Sequence, residues 1–276
     1  GDVRRAIING MKLDESVTKC VHEMPVTVSE GTPTERVIAL MYAHAVREVP
    51  VLDAKGRPVA VHMLEELLDQ KRRGNITFIM AGGYGERLRP LTETVPKPLV
   101  EVGGKPILES LILKLIAHGF HSFVISVNYK KEMIKDYFGN GSNYGINIEY
   151  VEESEPLGTI GSISLIKERP VEPLLVINSD IITNLNFGKM LKFHESGQAA
   201  LTIGMVPHDY RVPFGVLDIN EESRVESIVE KPILSHKVCG GIYMVQPEIL
   251  DRIPDGTHLD MPNFILSLIE QGETVI

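Results

Sequence analysis

From residue 76 onward, strand and helix patterns alternate along the sequence. Ile76–Ala81 is an apolar run of strand length, and a glycine-rich loop, Gly82–Gly85, follows it directly. Further elements follow in turn, with helical spacing at 106–118, 130–138 and 158–167 and strand patterns at 122–127, 146–151 and 173–178. This alternation predicts an α/β fold, a Rossmann-like mixed and mostly parallel sheet flanked by helices. Ligands of such folds collect at the carboxyl ends of the strands.

The later part of the chain has a different pattern. Strand patterns near 199–206, 214–219, 225–231 and 238–245 follow one another with short connections. Short connections between strands favour antiparallel pairing, because parallel strands need a longer crossover. We expect this part to form a lid or a wall for a substrate.

Residues 1–73 form a separate small module in this interpretation. A strand at 26–28, a helix at 33–45, strands at 48–53 and 58–61 and a helix at 64–70 give a strand-helix-strand-strand-helix order. This part holds 11 basic and 11 acidic side chains, whereas residues 74–276 hold 17 and 26, a net charge of −9. The polar stretch Lys71–Asn75 contains a glycine that stops a helix, so the predicted boundary lies between residues 73 and 74.

Composition excludes several classes of protein. The chain of 276 residues is 43% hydrophobic and 24% charged, which is typical of a folded globular protein. Its net charge of −9 argues against general nucleic-acid binding, and no apolar run is long enough for a membrane helix. Two distant cysteines, Cys20 and Cys239, offer neither a disulfide framework nor a zinc cluster, so a cytoplasmic location is expected.

The loop after the first strand of the α/β part has the composition of a phosphate site. Gly82, Gly83 and Gly85 allow the backbone to approach a phosphate closely. The loop lacks the Gly-Lys-Ser/Thr ending of a Walker A motif and the third glycine of a dinucleotide fingerprint. Arg87 follows directly, and Lys97 is held between two prolines, so a fork of guanidinium donors and an ammonium group accompany the loop. This combination suits a polyphosphate.

These residues also carry a resemblance to a family. The patterns Gly82-Gly-x-Gly-x-Arg-Leu-x-Pro-Leu91 and Pro96-Lys-Pro-Leu99 resemble the signature of sugar-1-phosphate nucleotidyltransferases, also called nucleotide-sugar pyrophosphorylases. The resemblance runs from about residue 76 to the end of the sequence, and it implies the nucleotide-diphospho-sugar transferase fold. Further matches are Glu155–Gly161, Asn178–Asp180, Phe214–Val216, Val229–Pro232 and Cys239–Tyr243.

The resemblance implies a role for each matching residue. Catalytic roles fall to Arg87, on the pyrophosphate leaving group, and to Lys97, on the phosphates at the reacting centre. A metal role falls to Asp180, which is expected to hold Mg²⁺, a hard ion that prefers oxygen ligands. The expected nucleotide-binding residues are Ala81, Gly82, Gly83, Gly85, Gly158 and Thr159, and the expected sugar-phosphate-binding residues are Gly215, Glu230, Lys231 and Gly241.

Three departures from the family pattern bear on these expectations. Glu86 stands where the family commonly has Thr or Ser, and we expect its carboxylate to point away from the phosphate loop. Cys239 stands where many members have Asn, which puts one contact to the sugar in doubt. The family carries a second metal aspartate in a Trp-x-Asp-x-Gly segment, but this sequence contains no tryptophan, so that ligand is expected to be missing from the chain. Asp260 precedes an apolar helix and is interpreted as its N-cap.

The first module resembles a CBS motif, a small α+β module that normally works in pairs and often binds adenine nucleotides. The carrying residues are Met24–Val28, Val49–Asp53 and Lys55–Val59, and Gly1–Ala6 looks like the last helix of a preceding motif. Two alternatives stay open, a dimerising or packing module without a ligand and an adenine-nucleotide sensor. Homo-oligomer formation is expected by the same analogy.

The implied function is Mg²⁺-dependent transfer of a nucleoside monophosphate from a nucleoside triphosphate to a sugar 1-phosphate. The architecture favours GTP weakly, because a CBS-like region attached to such a domain resembles some bacterial guanylyltransferases. The alternative is a regulatory protein whose CBS-like region senses adenine nucleotide and whose second domain binds nucleotide without turnover.

Overall fold

The computed structural model describes residues 6–12, 14–20, 24–69 and 72–276. The chain divides into two compact units, Gly1–Gln70 and Lys71–Ile276. The division precedes the predicted boundary after residue 73, because Arg73 already opens the first strand of the second unit. Among the described residues, no helix has the length and apolar character required to span a membrane.

The first unit has the predicted order of elements. Its helices and strands are β1 (Val28–Ser29), α1 (Thr34–Ala43), β2 (Glu48–Leu52), β3 (Pro58–Met63) and α2 (Leu64–Asp69). Central strand β2 pairs in parallel with β1 and antiparallel with β3, and the apolar face of α1 is buried. The CBS resemblance stays a prediction, and residues 1–5 of its expected opening helix lie outside the described residues.

The second unit contains the remaining elements. In chain order they are β4 (Arg73–Met80), β5 (Glu101–Val102), β6 (Lys105–Pro106), α3 (Ile107–Ala117), β7 (Phe120–Val127), α4 (Lys131–Phe138), β8 (Asn147–Glu152), β9 (Leu174–Asn178), α5 (Phe187–Ser196), β10 (Leu201–Arg211), β11 (Gly215–Ile219), β12 (Val225–Glu230), β13 (Ile233–Val245) and α6 (Met261–Glu270).

A six-stranded sheet organises this unit in the order β10-β13-β9-β4-β7-β8. Strands β9, β4, β7 and β8 are parallel, and β13 and β10 add antiparallel strands at one edge. The centre of the sheet is mostly apolar, since Phe78, Ile79 and the four residues 174–177 have no exposed surface. A mixed, mostly parallel sheet was predicted, and the structure confirms it.

The antiparallel part extends beyond the sheet. The outer halves of β10 and β13 pair only with each other. Strands β11 and β12, which lie between β10 and β13 in the sequence, form a separate hairpin. These segments are largely exposed. The predicted antiparallel pairing is therefore confirmed, whereas the lid or wall function stays a prediction.

The helix predicted at 158–167 is wrong. Gly158 has a left-handed φ of +75°, and a short 3₁₀ helix, Gly161–Leu165, follows instead of an α-helix. Both Ile160 and Gly161 donate their backbone N–H groups to the Leu259 carbonyl, at 3.1 and 3.2 Å. Tertiary hydrogen bonds thus hold the backbone in a turn that apolar spacing alone does not reveal.

His194 makes the stability of this unit sensitive to pH. Its side chain is fully buried on α5, and Nδ1 lies 2.8 Å from Thr202 Oγ1. Burial lowers the pKa of His194 from its usual value of 6.5, because the imidazolium loses its hydration. The folded protein therefore binds fewer protons than the unfolded chain just below pH 6.5, so stability falls as the pH drops through this value.

We expect the free energy of unfolding to decrease between about pH 7.5 and about pH 5.5, and His194→Gln to reduce that decrease. Urea denaturation at the two pH values measures the difference. His258→Gln is the matched control, since His258 is exposed in the same unit. Equal pH dependence in His194→Gln and wild type would contradict this assignment.

Candidate active site

The glycine-rich loop begins where β4 ends. Ala81 still belongs to the sheet, because its N–H donates to the Ser126 carbonyl at 3.0 Å and its side chain is buried. At Gly82 a Cβ atom would lie 2.8 Å from Glu153 Oε1, and at Gly83 it would meet no atom within 4 Å. Gly82 therefore packs against a neighbouring strand end, whereas Gly83 faces open space.

Gly85 ties the loop to the segment that follows it. It has a left-handed φ of +66° and precedes the 3₁₀ turn Glu86–Leu88. The Thr92 hydroxyl donates to the Gly85 carbonyl at 2.8 Å, and a Cβ atom on Gly85 would lie 3.2 Å from Lys97 Cβ. The loop and the lysine segment are thus packed directly against each other.

Two charged residues of this loop point into solvent. The Glu86 carboxylate is 70% exposed and pairs with Arg89 Nη2 at 3.4 Å. Its charge is therefore directed to a residue three positions later in the sequence. The expectation that Glu86 points away from the phosphate loop agrees with this geometry. Arg87 is exposed in the same turn, and its guanidinium has no hydrogen bond or ion pair within the described part of the chain.

Lys97 and Asp180 form an ion pair at the carboxyl edge of the sheet. Lys97 opens the 3₁₀ turn Lys97–Leu99 between Pro96 and Pro98, and Asp180 follows β9 by two residues. The lysine Nζ contacts Asp180 Oδ2, and both side chains are about one-third exposed, at 33% and 31%. The structure therefore brings the predicted catalytic lysine and the predicted metal ligand together beside the glycine loop.

Gly241 lies at the same edge of the sheet. Its φ is +70°, and a Cβ atom there would lie 2.5 Å from Asn178 Nδ2 at the end of β9. Any side chain at this position would displace Asn178, which stands two residues before Asp180. This close approach explains the glycine on β13.

Gly158 and Thr159 are held by the segment before α6. The Asp260 carboxylate accepts hydrogen bonds from the Thr159 N–H at 3.2 Å and its hydroxyl at 3.4 Å. The Thr159 hydroxyl oxygen in turn accepts the Met261 N–H at 2.6 Å. Asp260 occupies the predicted N-cap position, but its side chain does not cap the helix. Thr159 caps α6 instead, so its hydroxyl is engaged in a structural contact.

The predicted sugar-phosphate residues of the β11–β12 hairpin lie together but in the open. Gly215 pairs with Glu230 across the hairpin, and Lys231 donates its N–H to the Phe214 carbonyl at 3.2 Å. Lys231 Nζ lies 3.7 Å from Glu230 Oε1, with the two side chains 61% and 70% exposed. Within the described residues, the hydrogen bonds and ion pairs of Glu230 and Lys231 stay inside this hairpin.

Glu153 is a further candidate site residue, since its carboxylate lies beside Gly82, and the sequence analysis does not name it. It follows β8, its Oε1 accepts the Ser126 hydroxyl, and its Oε2 accepts the Leu157 N–H at 3.0 Å. Asn128, which follows β7, donates its side-chain amide to the Glu153 carbonyl at 3.0 Å. The available signal was position, because both residues follow parallel strands at their carboxyl ends.

The residues present fit Mg²⁺ only in one mode of binding. Among the described residues, no three His, Cys, Asp or Glu side chains come together as a metal cluster. Asp180 supplies one carboxylate beside the glycine loop. Mg²⁺ commonly uses one or two carboxylates and completes its shell with water and substrate phosphates. The site thus fits an ion that arrives with a polyphosphate, and it does not fit a cage made by protein side chains alone.

Comparisons with known proteins agree with this geometry. Residues 76–275 match the model of the nucleotidyl transferase family. Mannose-1-phosphate guanyltransferase of Schizosaccharomyces pombe is 39% identical over 184 residues, which cover 64% of this chain and 51% of the relative. A probable mannose-1-phosphate guanylyltransferase of Oryza sativa subsp. japonica is 38% identical over the same shares. The chain therefore spans about half the length of the curated relatives it matches.

A solved structure adds the same relationship at the level of the fold. HddC from Yersinia pseudotuberculosis is 31% identical, with a TM-score of 0.51 over 68% of this chain and 84% of that chain. The same protein is known in complex with GMP-PN, with 30% identity and a TM-score of 0.51 over 67% of this chain and 82% of that chain.

The mostly parallel sheet, with a glycine loop at the carboxyl edge of its strands, is an α/β architecture in which ligands collect at that edge. The match over residues 76–275 then fixes the family. The chain belongs to the nucleotidyl transferase family, and its family domain is the second unit.

The glycine loop offers a matched pair of substitutions. Gly85→Ala should destabilise the unit by roughly 1–2 kcal/mol, since alanine disfavours a left-handed φ. Its Cβ would also lie 2.9 Å from Thr92 Cγ2. Gly83→Ala should leave stability within about 0.5 kcal/mol, because its Cβ meets open space. Urea denaturation of the two variants checks this contrast, and equal losses would contradict the loop geometry.

Proposed function

We propose that this protein transfers a nucleoside monophosphate from a nucleoside triphosphate to a sugar 1-phosphate. A phosphate oxygen of the sugar 1-phosphate attacks the α-phosphorus, the bond to the bridging α,β-oxygen breaks, and pyrophosphate leaves with the electron pair. The observation that carries the proposal is the convergence of the glycine loop, Lys97 and Asp180 at one edge of the sheet. The names of the relatives support the same reaction class.

The reaction needs positioning and charge neutralisation more than a strong base. The attacking phosphate is already ionised at neutral pH, so no side chain has to remove a proton from it. Preorganised positive charge and backbone donors stabilise the charge that spreads over the phosphate oxygens. In this proposal Lys97 contacts the phosphates at the reacting centre, Arg87 contacts the leaving pyrophosphate, and Gly82, Gly83 and Gly85 form the backbone cradle.

Asp180 has two roles in this proposal. In the free protein it holds the Lys97 ammonium in place through the ion pair. With substrate present it would be a ligand of Mg²⁺, which when bound neutralises phosphate charge and orients the triphosphate. Lys97 can then move its hydrogen bonds from the carboxylate to phosphate oxygens without leaving the site.

We infer GTP as the preferred triphosphate. The curated relatives are named as guanylyltransferases, and HddC is known with GMP-PN. Glu153 offers a chemical reason, because its carboxylate stands beside Gly82 and keeps lone pairs free beyond its two hydrogen bonds. A carboxylate accepts from both the N1–H and the N2 amino group of guanine, whereas uracil and thymine offer a single N–H on the same edge.

Mannose 1-phosphate is the first sugar to test, because the curated relatives act on it by name. The β11–β12 hairpin would supply Glu230 for sugar hydroxyls and Lys231 for the sugar phosphate, with Gly215 and Gly241 allowing close approach. Adenine-nucleotide binding by the first unit and homo-oligomer formation stay predictions from the CBS resemblance.

Pyrophosphate release tests the proposed function directly. GTP, UTP, dTTP, CTP and ATP would each be combined with mannose, glucose and glucosamine 1-phosphates, with and without Mg²⁺. We expect release that requires Mg²⁺, GTP and one sugar 1-phosphate. Triphosphate binding without release in any combination would overturn the transfer reaction and favour the regulatory alternative.

Arg87→Ala and Lys97→Ala should each lower turnover by about a hundredfold or more, because each removes charge that stabilises the transition state. Circular dichroism and urea denaturation should show an unchanged fold. Arg89→Ala is the control, since Arg89 lies in the same turn and pairs with Glu86 in solvent. Near-normal turnover in either variant would remove that residue from the mechanism.

Glu153→Gln tests the choice of base. The amide can keep both structural hydrogen bonds, with its oxygen accepting the Leu157 N–H and its nitrogen donating to Ser126. It cannot accept two hydrogen bonds from guanine, so kcat/KM for GTP should fall by about tenfold or more relative to the best pyrimidine triphosphate. An unchanged ratio of the two kcat/KM values would show that Glu153 does not contact the base.

A further inference from the structure

The glycine loop and the segment that follows it contact the corner between β7 and α4. Tyr129 and Lys130 form this corner. The Lys130 ammonium donates a hydrogen bond to the Glu93 carbonyl. The Tyr129 hydroxyl donates one to the Thr92 carbonyl, at 3.4 Å. Two adjacent side chains thus reach two adjacent carbonyls of the segment that leads from the loop to Lys97.

Ring and cation contacts reinforce this fastening. The Tyr84 and Tyr129 rings lie with their centroids 5.6 Å apart, tilted by 50°. Lys130 Nζ also stands 5.3 Å from the centroid of the Tyr129 ring, within range of a cation–π contact. The corner therefore holds the glycine loop at Tyr84 and the following segment at Glu93, on either side of Gly85 and Arg87.

The backbone at Lys130 is strained. Its φ of +49° is left-handed, and it stands at the N-cap of α4 without a side-chain hydrogen bond to the helix. A left-handed conformation is unfavourable for a lysine, and glycine or asparagine would occupy it more easily. The lysine side chain does not cap the helix and instead places its ammonium group on the Glu93 carbonyl, which gives a reason for a lysine at this strained position.

A continuous chain of contacts leads from this corner to the reacting groups. Thr92, next to Glu93, donates its hydroxyl to the Gly85 carbonyl at 2.8 Å. The position of a Cβ atom on Gly85 lies 2.9 Å from Thr92 Cγ2 and 3.2 Å from Lys97 Cβ. Displacement of the 92–93 segment would therefore move the phosphate cradle and the catalytic lysine together.

We propose that Lys130, with Tyr129, is a positioning residue that sets the glycine loop for the triphosphate before it binds. This inference rests on the proposed function, since it assigns the triphosphate to the loop. We call the contacts of Tyr129 and Lys130 with Tyr84, Thr92 and Glu93 the clasp. Because the clasp orders the loop during folding, triphosphate binding does not have to bear that entropy cost, and loss of the clasp should weaken triphosphate binding. The sugar hydroxyls and the sugar phosphate are assigned mainly to the β11–β12 hairpin, so KM for the sugar 1-phosphate should change less than KM for GTP.

Lys130→Gly separates positioning from stability. Glycine removes the ammonium and relieves the positive φ, so the free energy of unfolding should stay equal or rise while KM for GTP rises about fivefold to tenfold. Lys130→Asn is a second variant, because asparagine tolerates the same φ and is too short to reach Glu93. Lys130→Arg keeps a donor of similar length and should restore most of the affinity. Lys131→Ala is the control, since Lys131 pairs with Glu152 on the surface.

Hydrogen exchange of the backbone amides in residues 84–93 gives a readout that does not require turnover. Exchange should be faster in Lys130→Gly than in wild type and Lys131→Ala, because local opening becomes easier. An unchanged KM for GTP together with unchanged amide exchange in residues 84–93 would overturn the proposed role of Lys130. Faster exchange in a protein that releases no pyrophosphate with any substrate would keep the clasp and refute the proposed function.

Discussion

The parallel pairing of β4 with both β7 and β9 is the constraint on which the site depends. Met80, the last residue of β4, stands in register with Ser126 on one side and with Asn178 on the other. Because parallel strands end at the same edge, the residues that follow them are brought together regardless of their distance in sequence. The glycine loop, the Tyr129–Lys130 corner and Asp180 are those residues. Loss of this register would separate all three at once.

Close backbone approach is the second requirement, and glycines supply it. At Gly82, Gly158 and Gly241 an added Cβ atom would lie within 2.5–2.8 Å of a neighbouring atom. These neighbours are Glu153, the Leu259 carbonyl and Asn178. These glycines thus pack loops against strand ends, whatever contact with a phosphate the proposed function adds.

Sequence patterns predicted the strands well because a buried strand is a local signal. The apolar run Ile76–Ala81 corresponds to β4, and the strand predicted at 173–178 corresponds to β9. The segment 158–167 failed because its turn is fixed by hydrogen bonds to Leu259, about a hundred residues away in sequence. Apolar spacing carries no information about such partners, so helix and tight turn cannot be told apart there.

The site residues also divide into those that a sequence motif identifies and those that only the three-dimensional structure reveals. Resemblance named Lys97 and Asp180 separately, but their ion pair arises from the adjacency of β4 and β9, which no local pattern shows. The nucleotide contact of Thr159 stays a prediction, and the structure adds that its hydroxyl caps α6 and its N–H binds Asp260. Glu153 and Lys130 carry no motif of their own. They become visible only when strand ends meet and the acceptors of their hydrogen bonds can be named.

The polyphosphate ligand of the proposed function has to bind to a unit that carries net negative charge. Residues 74–276 carry 17 basic and 26 acidic side chains, so their overall field repels the ligand. At physiological ionic strength charges are screened beyond about 8 Å, which leaves capture to short-range contacts. The Glu86–Arg89 pair and the Lys97–Asp180 pair are each neutral overall, so neither adds net positive charge to the site. Affinity must then come from directional donors already in place. A glycine loop that is held at Tyr84, with the following segment held at Glu93, keeps such donors in place better than net positive charge would.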